Sequence, residues 1–157
     1  MRSTLSRALV ALAITTVAAL GADNSIGTWK VNTAKSKYTP APMPVKSLTS
    51  AREAAPGGVK VTLTGERADG TAINATYTAK YDGSAAAVTG SGAPYDSISI
   101  KQVNANTFTY EAKQTNGKYH ANGRSVISKD GKTMTTTTKG TDTNGAAMTM
   151  KLVYEKQ

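Results

Sequence analysis

The chain has 157 residues, with 14 Gly, 5 Pro, no Cys, one His and a formal net charge of +9. That length suits a single domain. The missing Cys excludes disulfides, thiolate nucleophiles, cysteine-ligated metals and a lipid-modified N-terminal Cys, and a lone His excludes a paired-His metal site within the chain.

Residues 1–22 read as a secretory signal peptide. Arg2 and Arg7 give the positive start, ALVALAITTVAAL over 8–20 the apolar run, and Gly21 and Ala22 the small residues of a cleavage site. The run is shorter than the roughly 20 apolar residues that cross a bilayer as a helix. The expectation is a periplasmic or secreted protein whose mature domain covers 23–157. Cleavage removes two arginines and leaves a charge of +7.

The mature part is poor in Leu, Ile, Val and Phe but rich in Thr and Tyr, which favour strands. Strands are predicted near 27–32, 46–53, 58–66, 71–81, 85–89, 96–103, 106–114, 118–128, 133–140 and 146–155, and no segment reads as a helix. Alternation carries the prediction. Ile73, Ala75, Tyr77, Ala79 and Tyr81 share one face, as do Val59, Val61 and Leu63, Ile98 and Ile100, Phe108, Tyr110 and Ala112, and Met148, Met150, Leu152 and Tyr154. Successive strand side chains point to opposite faces, so each set is a half-buried strand. Asp69-Gly70, Asp82-Gly83, Asn116-Gly117, Asp130-Gly131 and Asn144-Gly145 are hairpin-turn dipeptides at near-regular spacing. The three prolines of 38–44 predict an extended, polyproline-like crossing.

Short strands at this spacing predict an all-β fold. A long meander does best to close on itself, because closure removes exposed edges. The expected architecture is one antiparallel up-and-down barrel of about 8–10 strands, with a β-sandwich second. Many inward positions hold Ala, Gly, Ser or Thr, so a wide barrel would have room inside. That room could hold a ligand, hold water, or vanish by flattening. Candidate lining residues are Ile73, Tyr77, Tyr81, Phe108, Tyr110, Met148 and Met150. Arg52 and Arg124 are candidate anchors for an acidic head group. Parity sends Arg124 outward, and a bulge at Gly123 would be needed to turn it in.

Gly27-Thr28-Trp29-Lys30-Val31 opens the first strand and Leu152-Val153-Tyr154-Glu155-Lys156 closes the last. This resembles the calycin group, the lipocalins and fatty-acid-binding proteins, whose first strand begins Gly-x-Trp. The resemblance implies a barrel whose end Trp29 plugs. It places Leu152 where fatty-acid-binding proteins carry an Arg for the ligand carboxylate. The stretches GTWKVNTAKSKY over 27–38 and SKDGKTMT over 128–135, with the tail to Gln157, also resemble an uncharacterised family of small exported bacterial proteins with lipocalin-like barrels.

Other motifs have plain readings. His120 has no nucleophile and orienting partner beside it in the pattern. Asp69, Asp82, Asp130 and Asp142 belong to turns, and Asp142-Thr143-Asn144-Gly145 lacks the remaining ligands of a calcium loop. The glycines of 90–95 lack the third member of a dinucleotide fingerprint. TMTTTT over 133–138 is ordinary strand filler. The positive charge is spread along the chain without interleaved aromatics, which argues against nucleic acid and allows a weak attraction to anionic envelope surfaces. The sequence therefore predicts a monomeric, exported, non-catalytic binding protein for a small lipophilic or amphipathic ligand, with no metal and no cofactor. The alternative is a structural or protein-interaction barrel of the cell envelope.

Overall fold

The computed structural model describes residues 22–157, so the signal segment expected over 1–22 lies outside the described residues except for Ala22. The strands are β1 (Gly27–Val31), β2 (Lys37–Thr39), β3 (Val45–Ala55), β4 (Gly58–Arg67), β5 (Ala72–Lys80), β6 (Asp82–Ala87), β7 (Thr89–Ser91), β8 (Ser97–Asn104), β9 (Thr107–Lys113), β10 (His120–Ile127), β11 (Thr133–Thr141) and β12 (Ala147–Lys156). A single 3-10 turn, Thr33–Lys35, is the one helical element among the described residues.

All strand pairs are antiparallel, in the order β6-β8-β9-β10-β11-β12-β1-β3-β4-β5-β7, with the short β2 added to β12. β6 and β7 are one passage of chain interrupted at Val88. The first half pairs with β8 and the second with β5. One segment thus joins both edges of the sheet, and the result is a nearly closed up-and-down barrel, not a sandwich. The strand count exceeds the expected 8–10 because β2 was not legible and the strand expected at 85–89 is the longer, broken passage β6–β7. Residues 40–42 and 44 bend instead of continuing as a polyproline helix.

Four of the five turn dipeptides lie between strands, and their acids cap the turns. Asp69 Oδ1 accepts from Thr71 N at 2.9 Å, Asp130 Oδ1 from Lys132 N at 3.0 Å and Asp142 Oδ1 from Asn144 N at 2.8 Å. Asp82-Gly83 differs. It opens β6, where Gly83 at φ 84° begins a bulge against β8. The chain reverses at Tyr81 instead.

The alternating sets face inward. Val59, Val61, Leu63, Ile73, Ala75, Tyr77, Ala79, Tyr81, Ile98, Ile100, Phe108 and Ala112 are all buried. The outer surface carries Lys, Thr and Asn, the reverse of a transmembrane barrel. The two ends of the barrel differ. At one end, the base, residues 22–26 cross beneath the strands toward the β8–β9 turn. Asn24 N donates to Ala105 O at 3.0 Å and Gln102 Nε2 to Ala22 O at 3.1 Å. At the other end, the mouth, the connections after β2, β7 and β11 frame the opening.

Trp29 is fully buried above the base segment. Its Nε1 donates to Ser25 O at 2.8 Å, and Lys156 Nζ lies 5.2 Å from its ring centre. The geometry supplies the indole N–H with the partner that a buried Trp requires.

Candidate functional site

The barrel interior is hollow. A cavity of about 270 Å³ runs from the mouth down to Arg52. Small inward residues create it. Ser50, Ser125 and Thr136 occupy wall positions where larger apolar side chains would meet across the lumen. Tyr, Met, Ile and Leu from the facing strands then narrow it without filling it.

Arg52 stands at the floor. In the register, Arg52 pairs with Val61 and Val61 with Tyr77, so these three share the inner face across β3, β4 and β5. Arg52 Nε donates to Ser25 Oγ at 3.2 Å. Ser25 Oγ in turn donates to Asp23 Oδ1 at 2.6 Å, and Tyr81 donates to the other oxygen of Asp23. Asp23 is occupied by Ser25 and Tyr81, and no carboxylate among the described residues lies within 4.0 Å of the Arg52 guanidinium. Arg52 is therefore a fixed cation with donors to spare, facing a largely apolar cavity.

Tyrosines form much of the wall. Six of the chain's seven, Tyr38, Tyr77, Tyr95, Tyr110, Tyr119 and Tyr154, line the cavity. Burial raises the phenol pKa of Tyr77, with the nearby Arg52 charge pulling the other way. Burial likewise pushes Tyr110 up to about 12, opposed by its hydrogen bond with Thr138. Tyr95, Tyr119 and Tyr154 are raised by burial and then by neighbouring tyrosines, Tyr110 among them for all three. The phenols are thus neutral hydrogen-bonding groups at physiological pH. They can orient a polar substituent but offer neither a base nor a nucleophile.

The expected lining residues divide. Ile73, Tyr77, Phe108, Tyr110, Met148, Met150 and Arg52 are on the cavity wall. Tyr81 is buried but lies below the cavity, tilted against Phe108 at 5.2 Å between ring centres and bonded to Asp23; burial and then Asp23 push its pKa up to about 12. Arg124 is not a cavity residue. It is exposed on the outer face, because β10 pairs with β9 and β11 in unbroken register through Gly123. Gly123 serves a different purpose from a bulge. A Cβ there would fall 2.3 Å from the Tyr110 ring, so the missing side chain is the seat for that ring, which then reaches Thr138. His120 is exposed and pairs with Glu111 at 3.2 Å.

Sequence reasoning missed several contributors. Tyr38 and Tyr95 come from the mouth, where no alternation marks them. Tyr95 stacks near Tyr119 at 5.9 Å. Arg67 Nη1 donates to Gly92 O at 2.9 Å and ties β4 to the loop that carries Tyr95. Asp23 and Ser25 precede the first strand and gave no signal. Tyr119, Leu152 and Tyr154 were legible as inward-facing and belong to the wall. No group of three or more His, Cys, Asp or Glu converges among the described residues.

No protein-family profile and no curated protein matches the chain. Among solved structures, the chain is similar to that of EF1p2_mFAP2b bound to DFHBI, at 12% sequence identity and a TM-score of 0.49, over 85% of this chain and 94% of that one. A likeness at that level carries no weight for what this cavity holds.

Proposed function

We propose that this is an exported, non-catalytic binding protein for a small amphipathic molecule, held inside the barrel with its acidic end on Arg52. One observation carries the reading: a cavity of about 270 Å³, walled largely by apolar side chains and tyrosines, with Arg52 at its floor and no carboxylate within 4.0 Å of it. Binding sites of this kind are mostly apolar with a few placed polar groups. An apolar body would gain roughly 25 cal/mol for each Å² taken from water, and an acidic group would gain charge-assisted hydrogen bonds from a guanidinium already desolvated on one side.

The size sets a limit. Sites for drug-sized ligands hold about 300–1,000 Å³, and this one falls just below. The fit is to a compact molecule, a ring system or short chain, more than to a long acyl chain. The tyrosine hydroxyls favour a ligand with polar substituents along its body, since each unmatched hydroxyl would otherwise lose its water without replacement.

Organic extraction of purified protein, followed by mass spectrometry, tests the reading. A compact acidic molecule released in near-stoichiometric amount supports it. An empty extract together with no thermal shift across a panel of small aromatic and short-chain acids contradicts it, and would favour the envelope-interaction alternative. Export is tested separately. Mature protein from cells should begin at Ala22 or Asp23, and protein that retains Arg2 refutes cleavage.

A further inference from the structure

Charge that is dispersed along the chain is gathered in space. The outer-face partners of β10, β11, β12 and β2 run Arg124–Thr137–Lys151–Lys37 in one row. Lys139 stands one step along, paired with Asn122 and Thr149. Adjacent strands lie about 4.8 Å apart, so the row from Arg124 to Lys37 covers about 14 Å. All four cations are exposed. Of the carboxylates nearby, Glu155, toward the base, bonds Lys35 at 2.9 Å, and Glu111 lies 3.2 Å from the His120 ring nitrogen. Among the described residues none of the four has a carboxylate within 4.0 Å.

Lys37 and Lys151 are direct cross-strand partners. Like charges set opposite each other destabilise a sheet. The opposite wall is arranged otherwise. There Lys60 pairs with Glu53, and Lys46 bonds Glu66 at 2.8 Å. One side of the barrel balances its charges and the other stacks them.

We infer that the β10–β11–β12–β2 face docks on an anionic lipid surface. An array of phosphate headgroups would relieve the Lys37–Lys151 repulsion and match a row of cations with no carboxylate within 4.0 Å. Val126, two residues from Arg124 on the same face, is 42% exposed, an apolar group placed to enter the headgroup region. No aromatic side chain on this face is exposed for base stacking, which separates it from single-strand nucleic-acid surfaces. The inference is independent of the cavity and what fills it.

The test is co-sedimentation of the mature protein with phosphatidylcholine vesicles containing about one-third phosphatidylglycerol, at low salt and at about 0.5 M salt. Binding should need the anionic lipid and fall away at high salt. Each cation near the surface contributes about 1 kcal/mol, close to fivefold. The triple variant R124Q/K139Q/K151Q should therefore bind about a hundredfold more weakly, and K151Q alone about fivefold. The control K46Q/K60Q/K80Q removes the same charge from β3, β4 and β5 and should stay within about twofold of the parent. Equal losses in both triple variants would reduce the effect to net charge and overturn the assignment. So would unchanged binding of K151Q and R124Q/K139Q/K151Q, or tighter binding to duplex DNA than to the vesicles.

Discussion

The two ends of the barrel are built from different material. The base is knit by a chain of hydrogen bonds, from Trp29 to the Ser25 carbonyl, from Ser25 to Asp23, from Tyr81 to Asp23 and from Arg52 to Ser25. The mouth is framed by loop residues, among them Pro44, Ala93, Pro94 and Thr143, joined by exposed or partly buried bonds between loops such as Ala68 N to Pro44 O at 2.9 Å, Arg67 Nη1 to Gly92 O at 2.9 Å and Thr115 Oγ1 to Asp96 Oδ1 at 2.7 Å. The difference shows how one sheet can be closed by buried polar bonds at one end and left open to solvent at the other. Burial at the base contributes stability, whereas exposure at the mouth leaves room for exchange.

Substitution at each end breaks the comparison most sharply. Trp29→Ala should cost about 3–5 kcal/mol in chemical denaturation, the range for a buried aromatic. Thr143→Ala, exposed at the mouth, should change stability by no more than about 0.5 kcal/mol. Comparable losses at both ends would dissolve the distinction.

The wall between them gives a second, smaller effect. Gly123→Ala puts a methyl group where the Tyr110 ring lies. Overpacking of this sort costs about 1–3 kcal/mol, and the displaced ring should also weaken probe binding in the cavity. Gly131 has no such role, since a Cβ there would meet nothing within 4 Å. There the loss would come from its φ of 70° alone.

Alkaline pH sharpens the comparison further. Burial raises the tyrosine pKa values above 10, with Tyr81 and Tyr110 at about 12. The folded state holds these protons more tightly than the unfolded chain does. Their contribution is therefore fully present below about pH 10 and is lost as pH rises from there through about 12. Melting temperature measured against pH should be flat from neutral to about 10 and fall beyond it, and phenolate absorbance should rise together with unfolding. Gradual ionisation at about pH 10 in the intact fold would mean that the phenols face open water.

Much of the wall was legible because alternation is a local signal. Ile73, Tyr77, Phe108 and Met148 point inward simply through parity with their neighbours. What depends on distant partners was not legible. Asp23 and Ser25 acquire a role only when the closed barrel brings Arg52 and Tyr81 beneath it. Tyr38 and Tyr95 sit in connections whose paths are set by packing. Arg124 invited a reading as an inward anchor, conditional on a bulge at Gly123. The register shows an unbroken strand, since the glycine was needed to seat Tyr110. The cationic row was hidden for a similar reason. Residues 37, 124 and 151 are far apart in the chain and meet only through strand pairing.

The most direct measurement is titration of the anionic probe 8-anilinonaphthalene-1-sulfonate into the parent protein, Arg52→Met and Arg124→Met. A ligand-holding interior with its charge site at the floor predicts one saturable site in the parent. Arg52→Met should weaken it at least about tenfold, the loss of one charge-assisted contact of about 1.4 kcal/mol or more, and Arg124→Met should leave it unchanged. Equal affinity in the parent and Arg52→Met, or no saturable binding at all, would contradict it.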